Sequence, residues 1–296
     1  MEATVSIFDS RVYGGLKYKP LYGPDQTELI KRVFNLPVNI VIGNSEQSLF
    51  EYSFASLFSQ LANETIKASG MPEIIGKPRL LVVGSGVQKG GVELEENTWS
   101  FGSPYRNLLT RFLTSYQSDV NVRSLDANLR PELPFYFHTL DQRVDTNGYY
   151  SYADDNGKLE NWGNLERALE EAAIQEPEIK KYLSLETGTI SEPIVHIQGS
   201  NRQFVPEYEP RSNRFTKDYF MITQMDSLNP KAQGLGRKNA VVAGCHDLGT
   251  LYAMAVLFDR ELMERISKEV NLSPRFQVIG SATAYNEFSI QEVIKF

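Results

Sequence analysis

The segment with the most chemically reactive side chains follows an apolar run and reads Gly244-Cys245-His246-Asp247-Leu248-Gly249-Thr250. It places a thiol, an imidazole and a carboxylate at the predicted exit of one strand. A catalytic Cys-His pair needs both side chains within hydrogen-bonding distance, and such partners usually come from different loops. We therefore expect His246, Gly249 and Thr250 to contact a ligand. Cys245 is open to two interpretations, a nucleophile or a small packed hydrophobe.

A second glycine-rich segment, residues 84–91, has the sequence GSGVQKGG. It is neither a GxGxxG dinucleotide fingerprint nor a Walker A loop. Backbone N–H groups of such a turn can still bind a phosphate. Gly84, Ser85 and Gly86, together with Lys89, are therefore predicted to bind an anionic ligand. The alternative is a strand exit whose glycines serve only the turn.

A third candidate is the predicted helix start at Gly102-Ser103-Pro104. Serine is a favoured N-cap, and proline is favoured at the first helical position. Free N–H groups and the positive end of a helix attract phosphate or carboxylate. We expect Gly102, Ser103, Arg106 and Asn107 to contact the same ligand, although an ordinary capped helix would also explain the pattern.

The metal-binding and redox chemistry that the sequence supports is limited. The three histidines, at 138, 196 and 246, show no HxxxH or HExxH spacing, so we predict no metal site. The single cysteine excludes an intramolecular disulfide and a CxxC zinc site. This cysteine usage favours a reducing compartment. No cofactor can be named from these residues.

Three short apolar runs must position these loops: residues 38–42, 79–83 and 239–243. Each run ends in glycine, and a helical pattern follows each one further along the chain. Repeated strand–helix units predict an α/β fold with a largely parallel, doubly wound, Rossmann-like sheet. In such a sheet Gly43, Gly84, Gly244 and the helix start at Ser103 share one edge, where ligands bind.

The chain organisation predicts a single α/β domain over residues 1–296. A Tyr/Asp/Asn/Gly-rich insertion occupies about 131–165, and its residues 150–159 have the pattern of a β-hairpin with an Asn-Gly turn. A further strand is predicted over 193–197. Residues 202–217 are predicted to form a long polar loop, and such loops are often functional.

The net charge of −7 argues against nucleic acid and anionic membranes as partners. No apolar run approaches the length of a transmembrane helix, and the N-terminus has no signal-peptide pattern. A soluble, cytoplasmic protein is the expectation. The expected partners are a small anionic ligand and a second copy of the chain or another protein.

Four segments together resemble an uncharacterised prokaryotic module: GSPxxNxxTR from Gly102, DYFMI from Asp218, Asn229-Pro230, and AGxxxxGT from Ala243. Similar patterns recur in the C-terminal halves of some helix-turn-helix regulators and in archaeal surface-associated proteins. The resemblance covers roughly residues 79–280. The sequence departs from it at Ser103, where a second glycine is common, and in lacking a helix-turn-helix segment ahead of it. The resemblance implies a Rossmann-like ligand-binding or sensory fold, and it assigns no role to any residue.

These patterns favour a binding or sensory module for a nucleotide-like or other anionic ligand, with its pocket at the carboxyl edge of the sheet. Two alternatives remain open at this point. The first is a hydrolase or glycosidase acting on a nucleotide-like substrate, and the second is a structural subunit of a protein assembly. Whether the chain is an enzyme is therefore left open.

Overall fold

The computed structural model describes residues 24–43, 79–83, 94–104, 107–116, 132–138, 183–184, 189–190, 194–196, 202–209, 211, 214–284 and 287–296. Within them, the central feature is a mixed sheet of eight strands. Seven strands lie side by side in the order β14-β13-β11-β12-β3-β1-β2, and β10 pairs with one end of β11. These strands are β1 (Asn39–Gly43), β2 (Arg79–Val83), β3 (Thr98–Phe101), β10 (Glu207–Glu209), β11 (Arg214–Asp226), β12 (Lys238–Gly244), β13 (Phe276–Thr283) and β14 (Phe288–Lys295).

One half of the sheet is parallel. β1 pairs in parallel with β2 and with β3, and β3 pairs in parallel with β12. These four strands include all three of the apolar runs that were predicted as strands, so that part of the prediction is confirmed. In β12, Ala240 and Val242 pack on one face of the sheet while Val241 and Ala243 pack on the other. Burial on both faces explains why these segments are continuously apolar.

The other half of the sheet is antiparallel, so the expectation of a largely parallel, doubly wound Rossmann-like sheet is wrong. β11 is antiparallel to β10, β12 and β13, and β13 is antiparallel to β14. Residues 227–237 connect β11 directly to β12, and antiparallel neighbours need only such a short connection. That connection contains helix α3 (Pro230–Gly234), which is capped by the side chain of Asn229.

Helices cover one face of the sheet. They are α1 (Pro24–Val33), α4 (Asp247–Val256) and α5 (Arg260–Val270), and their apolar side chains share a core with the sheet. Two helices, α4 and α5, follow β12. The chain breaks at Asp259, whose carboxylate accepts the N–H of Leu262 and caps α5. After this break α5 can turn its buried Met263 and Ile266 toward the sheet.

The opposite face of the sheet is covered by α2 (Leu108–Thr114) and a small second sheet. That sheet has the order β4-β5-β8-β9. Its strands are β4 (Ser115–Tyr116), β5 (Phe135–His138), β8 (Ile194–His196) and β9 (Gln203–Phe204), and a separate pair joins β6 (Leu183–Ser184) to β7 (Thr189–Ile190). β8 confirms the strand predicted over 193–197. The segment predicted as a long loop over 202–217 instead contains β9, β10 and the start of β11.

Two buried glutamines connect the layers. Gln224 of β11 accepts the N–H of Asn35 at 2.8 Å, just after α1, and the indole N–H of Trp99 donates to the Asn35 carbonyl at 2.8 Å. On the other face, Gln277 of β13 accepts the N–H of Phe135 and donates to its carbonyl, both at 2.9 Å. Gln277 thus pairs with the Phe135 backbone as a neighbouring strand would, and Gln224 binds the backbone that follows α1.

The predicted hairpin at 150–159, most of the insertion at 131–165 and the loop 84–91 lie outside the described residues. The single-domain assignment stays a prediction. In the part of the chain that the structure describes, every helix is too short or too polar to cross a membrane.

We expect Gln277→Leu to lower the free energy of unfolding by about 2–4 kcal/mol, because the buried N–H and carbonyl of Phe135 would both lose their partner. Urea denaturation measures this change. The matched control is Gln291→Leu on the exposed side of β14, where surface substitution should change stability by no more than about 0.5 kcal/mol. Equal losses in the two variants would contradict the connecting role of Gln277.

Candidate functional site

The carboxyl ends of the four parallel strands lie at one edge of the sheet, which we call the carboxyl edge. Gly43 is level with Val83, and Phe101 is level with both Ile42 and Val242. Gly43, Gly102 and Gly244 therefore lie at the shared edge that the sequence predicted, and Gly84 lies outside the described residues. Gly102 has a φ of 107°, a region open mainly to glycine.

The strand order reverses at β1, which has β2 on one side and β3 on the other. In open α/β sheets a ligand binds in the crevice at such a reversal. Asn107 spans this crevice. Its Nδ2 donates to the Phe101 carbonyl at 2.7 Å and to the Val41 carbonyl at 3.3 Å, so one side chain joins the ends of β3 and β1.

Asn107 also begins helix α2. Its Oδ1 accepts the N–H groups of Leu109 at 3.0 Å and Thr110 at 3.2 Å. The N-cap of this helix is thus Asn107, and the prediction that Ser103 caps it is wrong. The buried Asn107 amide uses both its donors and both its acceptor sites within the protein. It therefore positions the edge and has no hydrogen-bonding capacity left for a ligand. Ser103 is also buried, and its carbonyl accepts the Asn107 N–H at 3.0 Å.

The loop between β12 and α4 is closed tightly on itself. The N–H of Gly244 donates to Thr250 Oγ1 at 3.0 Å, and the N–H of Thr250 donates to the His246 carbonyl at 3.0 Å. A Cβ on Gly244 would lie 2.1 Å from the Thr250 nitrogen. Gly244 and Thr250 thus serve the local fold of this loop.

Gly249 allows the first turn of α4 to approach β11. A Cβ at this position would lie 2.3 Å from the Tyr219 carbonyl oxygen and 2.9 Å from Asp218 Oδ2. The Gly249 N–H donates to that same Oδ2 at 2.6 Å. The close approach therefore brings the start of the helix onto the carboxylate.

Asp218 is the residue on which this loop is organised, and sequence reasoning gave it no role. Its Oδ2 also accepts the His246 N–H at 3.1 Å, and its Oδ1 accepts the N–H of Tyr219 at 2.8 Å. Burial raises the pKa of Asp218 to about 7, against the lowering effect of these three backbone hydrogen bonds. The nearby carboxylate of Asp247 raises this pKa further. The available signal was an aspartate at the start of the apolar run DYFMI.

The position of Asp218 changes the interpretation of the loop as an anion site. The N-terminus of a helix attracts an anion through its free N–H groups and its dipole. At α4 the Gly249 N–H is bound by the chain's own carboxylate. An external phosphate would have to displace Asp218 or lie beside its charge.

The imidazole of His246 has a ring nitrogen that forms no hydrogen bond with the described part of the chain. Its ring stacks on Phe215 of β11 with centroids 3.8 Å apart and planes 13° apart, and Tyr208 of β10 contacts Phe215 edge-on at 5.2 Å. Its Nε2 is buried and makes no hydrogen bond with any residue that the structure describes. Burial lowers the pKa of His246 to about 3, so the imidazole is neutral at physiological pH.

Cys245 is 1% exposed and packs in the core on the α2 side of the sheet. Its N–H donates to the Tyr219 carbonyl at 2.8 Å. The geometry is that of a packed residue, because a substrate cannot reach the sulfur in this conformation.

Five of the predicted contact residues, Gly84, Ser85, Gly86, Lys89 and Arg106, lie outside the described residues. The structure brings Gly102, Ser103 and Asn107 to the same edge as His246, Gly249 and Thr250. Over the described ranges, no group of three His, Cys, Asp or Glu side chains has a geometry suited to a metal ion.

Comparison with protein-family models, with curated proteins and with solved structures gives no match for this chain. The resemblance to an uncharacterised prokaryotic module therefore stays an expectation. The function must be argued from the geometry of the carboxyl edge.

We expect Gly249→Ala to reduce the free energy of unfolding by about 2–4 kcal/mol, because the new methyl group would overlap the Tyr219 carbonyl and force α4 away from β11. Thermal and urea unfolding measure the loss. Gly234→Ala is the matched control, since a Cβ at that position would have nothing within 4 Å. It should leave stability unchanged or raise it by up to about 1 kcal/mol. Similar losses in both variants would contradict the close approach.

The stability of the protein should also depend on pH through Asp218. Because its folded pKa of about 7 exceeds the ordinary value of 3.8, the folded state binds a proton more tightly than the unfolded state. The resulting stabilisation is complete below pH 4 and is lost as the pH rises through 7, by up to about 4 kcal/mol.

The test compares urea unfolding of the wild type and Asp218→Asn between pH 4 and pH 8. The stability of the wild type relative to the variant should fall as the pH rises across this range. A difference that is constant with pH, or that grows with pH, would show that Asp218 is already ionised in the folded protein at pH 4.

Proposed function

We propose that this chain is a small-molecule-binding module whose ligand lies at the carboxyl edge, beside His246 and Phe215. The observation that carries the proposal is the buried Nε2 of His246, which has no hydrogen-bond partner among the described residues. An unpartnered buried polar atom costs about 1–3 kcal/mol. A ligand that supplies the missing partner would recover this cost.

The position of His246 supports the same proposal. It lies two residues after the end of β12, at the edge where β1 and β3 also end and where the strand order reverses. Phe215 extends from β11 past the end of β12 and holds the imidazole ring face to face. The side chain is therefore fixed by packing at the place where ligands of open α/β sheets bind.

The protonation state of His246 indicates which part of a ligand it would meet. A neutral imidazole offers one donor and one acceptor, whereas a phosphate is best bound by a cation. With a pKa lowered to about 3, His246 suits an uncharged polar edge such as that of a nucleobase. For a nucleotide-like ligand, we assign the base to His246 and leave the phosphate to groups elsewhere.

The enzyme alternative has less support in the described residues. A thiol mechanism needs an accessible thiolate next to a base. Cys245 is buried in the core, and the low pKa of His246 makes it a weak base. Binding thus accounts for these residues better than hydrolysis does.

We expect His246→Phe to separate stability from binding. The phenyl ring keeps the stacking on Phe215 and removes the unpartnered nitrogen, so the ligand-free melting temperature should be equal or higher. Thermal shift is measured with AMP, GMP, CMP and UMP and with the corresponding nucleosides. At least one of them should raise the melting temperature of the wild type and should leave that of His246→Phe unchanged.

Asn239→Leu is the matched control, because both amide atoms of Asn239 are also buried without a partner among the described residues, toward the opposite end of β12. Without a ligand, the melting temperature of Asn239→Leu should also be equal to that of the wild type or higher. The nucleotide that stabilises the wild type should still raise the melting temperature of this variant. The proposal is wrong if no compound shifts the wild type, or if His246→Phe responds as the wild type does.

A further inference from the structure

A second region with the features of a binding site lies between α1 and α5, away from the residues of the carboxyl edge. A cavity of about 320 Å³ opens there, at the lower end of the roughly 300–1,000 Å³ typical of ligand pockets. Glu28 and Arg32 of α1 line one side at i, i+4 spacing, and Arg260, Glu264 and Lys268 of α5 line the other at i, i+4, i+8. Residues so spaced share one helix face, so two charged faces meet across the groove.

The acidic groups of this groove are already paired. Glu264 accepts from Arg260 Nε at 3.1 Å, and Glu28 accepts from Lys31 Nζ at 3.2 Å. Arg32 and Lys268 have exposed side chains, and neither forms an ion pair or side-chain hydrogen bond with any residue that the structure describes. The groove therefore carries an excess of positive charge on a chain whose net charge is −7.

The donors have a geometry that an anion can use. Arg260 binds Glu264 through Nε, which holds its side chain along the helix and leaves its two terminal nitrogens for another partner. By contrast, Arg265 on the same helix uses two of its three nitrogens, since it binds Glu269 through Nε and the Ile290 carbonyl through Nη1. The groove thus contains three cationic side chains with free donors, contributed by two helices.

We propose that the groove between α1 and α5 binds a phosphate monoester through Arg32, Arg260 and Lys268. A monoester dianion offers three terminal oxygens, which matches three cationic donors, whereas a single carboxylate is satisfied by one arginine. Ser267 at the same surface adds a hydroxyl that can donate to a phosphate oxygen. The group can belong to a small metabolite or to a phosphorylated side chain, because both present the same three oxygens.

The test is isothermal titration calorimetry of the full chain with phenyl phosphate, with benzoate as the carboxylate analogue. Phenyl phosphate should bind at one site and more tightly than benzoate. Its affinity should fall as the ionic strength rises. The double variant Arg32→Gln, Lys268→Gln should weaken binding by about 10-fold or more. Both side chains are exposed, so the variant should fold with an unchanged melting temperature.

Lys231→Gln is the matched control, because it removes an exposed lysine from α3 outside the groove. It should bind phenyl phosphate as the wild type does. A phosphoserine peptide distinguishes the source of the group: affinity equal to that of phenyl phosphate assigns the site to small phosphorylated ligands, and affinity about 10-fold higher assigns it to a phosphorylated protein segment.

Three results would overturn the proposal: no saturable binding of phenyl phosphate, equal binding of benzoate, or equal weakening by Lys231→Gln. The site is independent of the ligand proposed for the carboxyl edge. His246→Phe should therefore leave phenyl phosphate binding unchanged, so that failure of one proposal is distinguishable from failure of the other.

Discussion

The side chain of Asp218 connects the antiparallel half of the sheet to the helix that follows the parallel half. It lies on β11, the antiparallel strand in the middle of the sheet, and it binds the first turn of α4, the helix that follows the parallel strand β12. Because Gly249 has no side chain, α4 can come close enough for its backbone to reach that carboxylate. Helix α4 is therefore anchored to the antiparallel strand β11. The loop that carries His246 is fixed between this helix and this strand.

The antiparallel direction of β11, next to the parallel strand β12, alters what the carboxyl edge can bind. Where every strand runs the same way, the N-termini of the following helices point at an open crevice and attract anions. Here β11 runs the other way, and its beginning brings Asp218 to the start of α4 and Phe215 over His246. Asn107 similarly occupies the reversal between β1 and β3 with its own amide. The chain thus fills both expected anion positions with internal groups.

Sequence reasoning found β8 and the three strands that end at a glycine, and it missed the other strands. The runs that form β1, β2 and β12 are apolar and end at the edge where the chain must turn into a loop. Their apolar composition and the glycine that follows them therefore both indicate a buried strand that ends in a turn. β14 instead lies on the rim of the sheet with one buried residue, Ile290, among exposed and half-buried ones, and β11 begins with mostly polar residues before its buried part. β14 has no uninterrupted apolar run, and the short apolar run in β11 is followed by Thr223 and not by a glycine. Strand direction was beyond reach for a different reason, since it depends on which strands pair across the chain.

The candidate site could also be predicted from the sequence only in part. Glycine spacing drew attention to the loop 244–250 as a ligand-contact segment, and in the structure its glycines allow close backbone contacts at Gly244 and Gly249. It did not indicate that the partner of this loop is a carboxylate of the same chain, which lies 31 residues away from Gly249. A sequence motif indicates where a turn or a helix start leaves N–H groups free. Which group binds them depends on the residues that the tertiary fold brings close.

The distribution of unpaired polar groups then indicates where this chain can bind something else. Most buried polar side chains named here, among them Asn107, Asp218, Gln224 and Gln277, have complete sets of partners and so hold the fold together. His246 Nε2 is an exception at the carboxyl edge, and it is held in place without being used by any described residue. Arg32 and Lys268 are exposed and therefore solvated by water, but they form no ion pair with a described residue while neighbouring charges are paired, so an anion can bind them. Because a satisfied group gains little from a new partner and an unsatisfied one gains more, ligand sites are expected where the fold leaves its own polar groups unpaired.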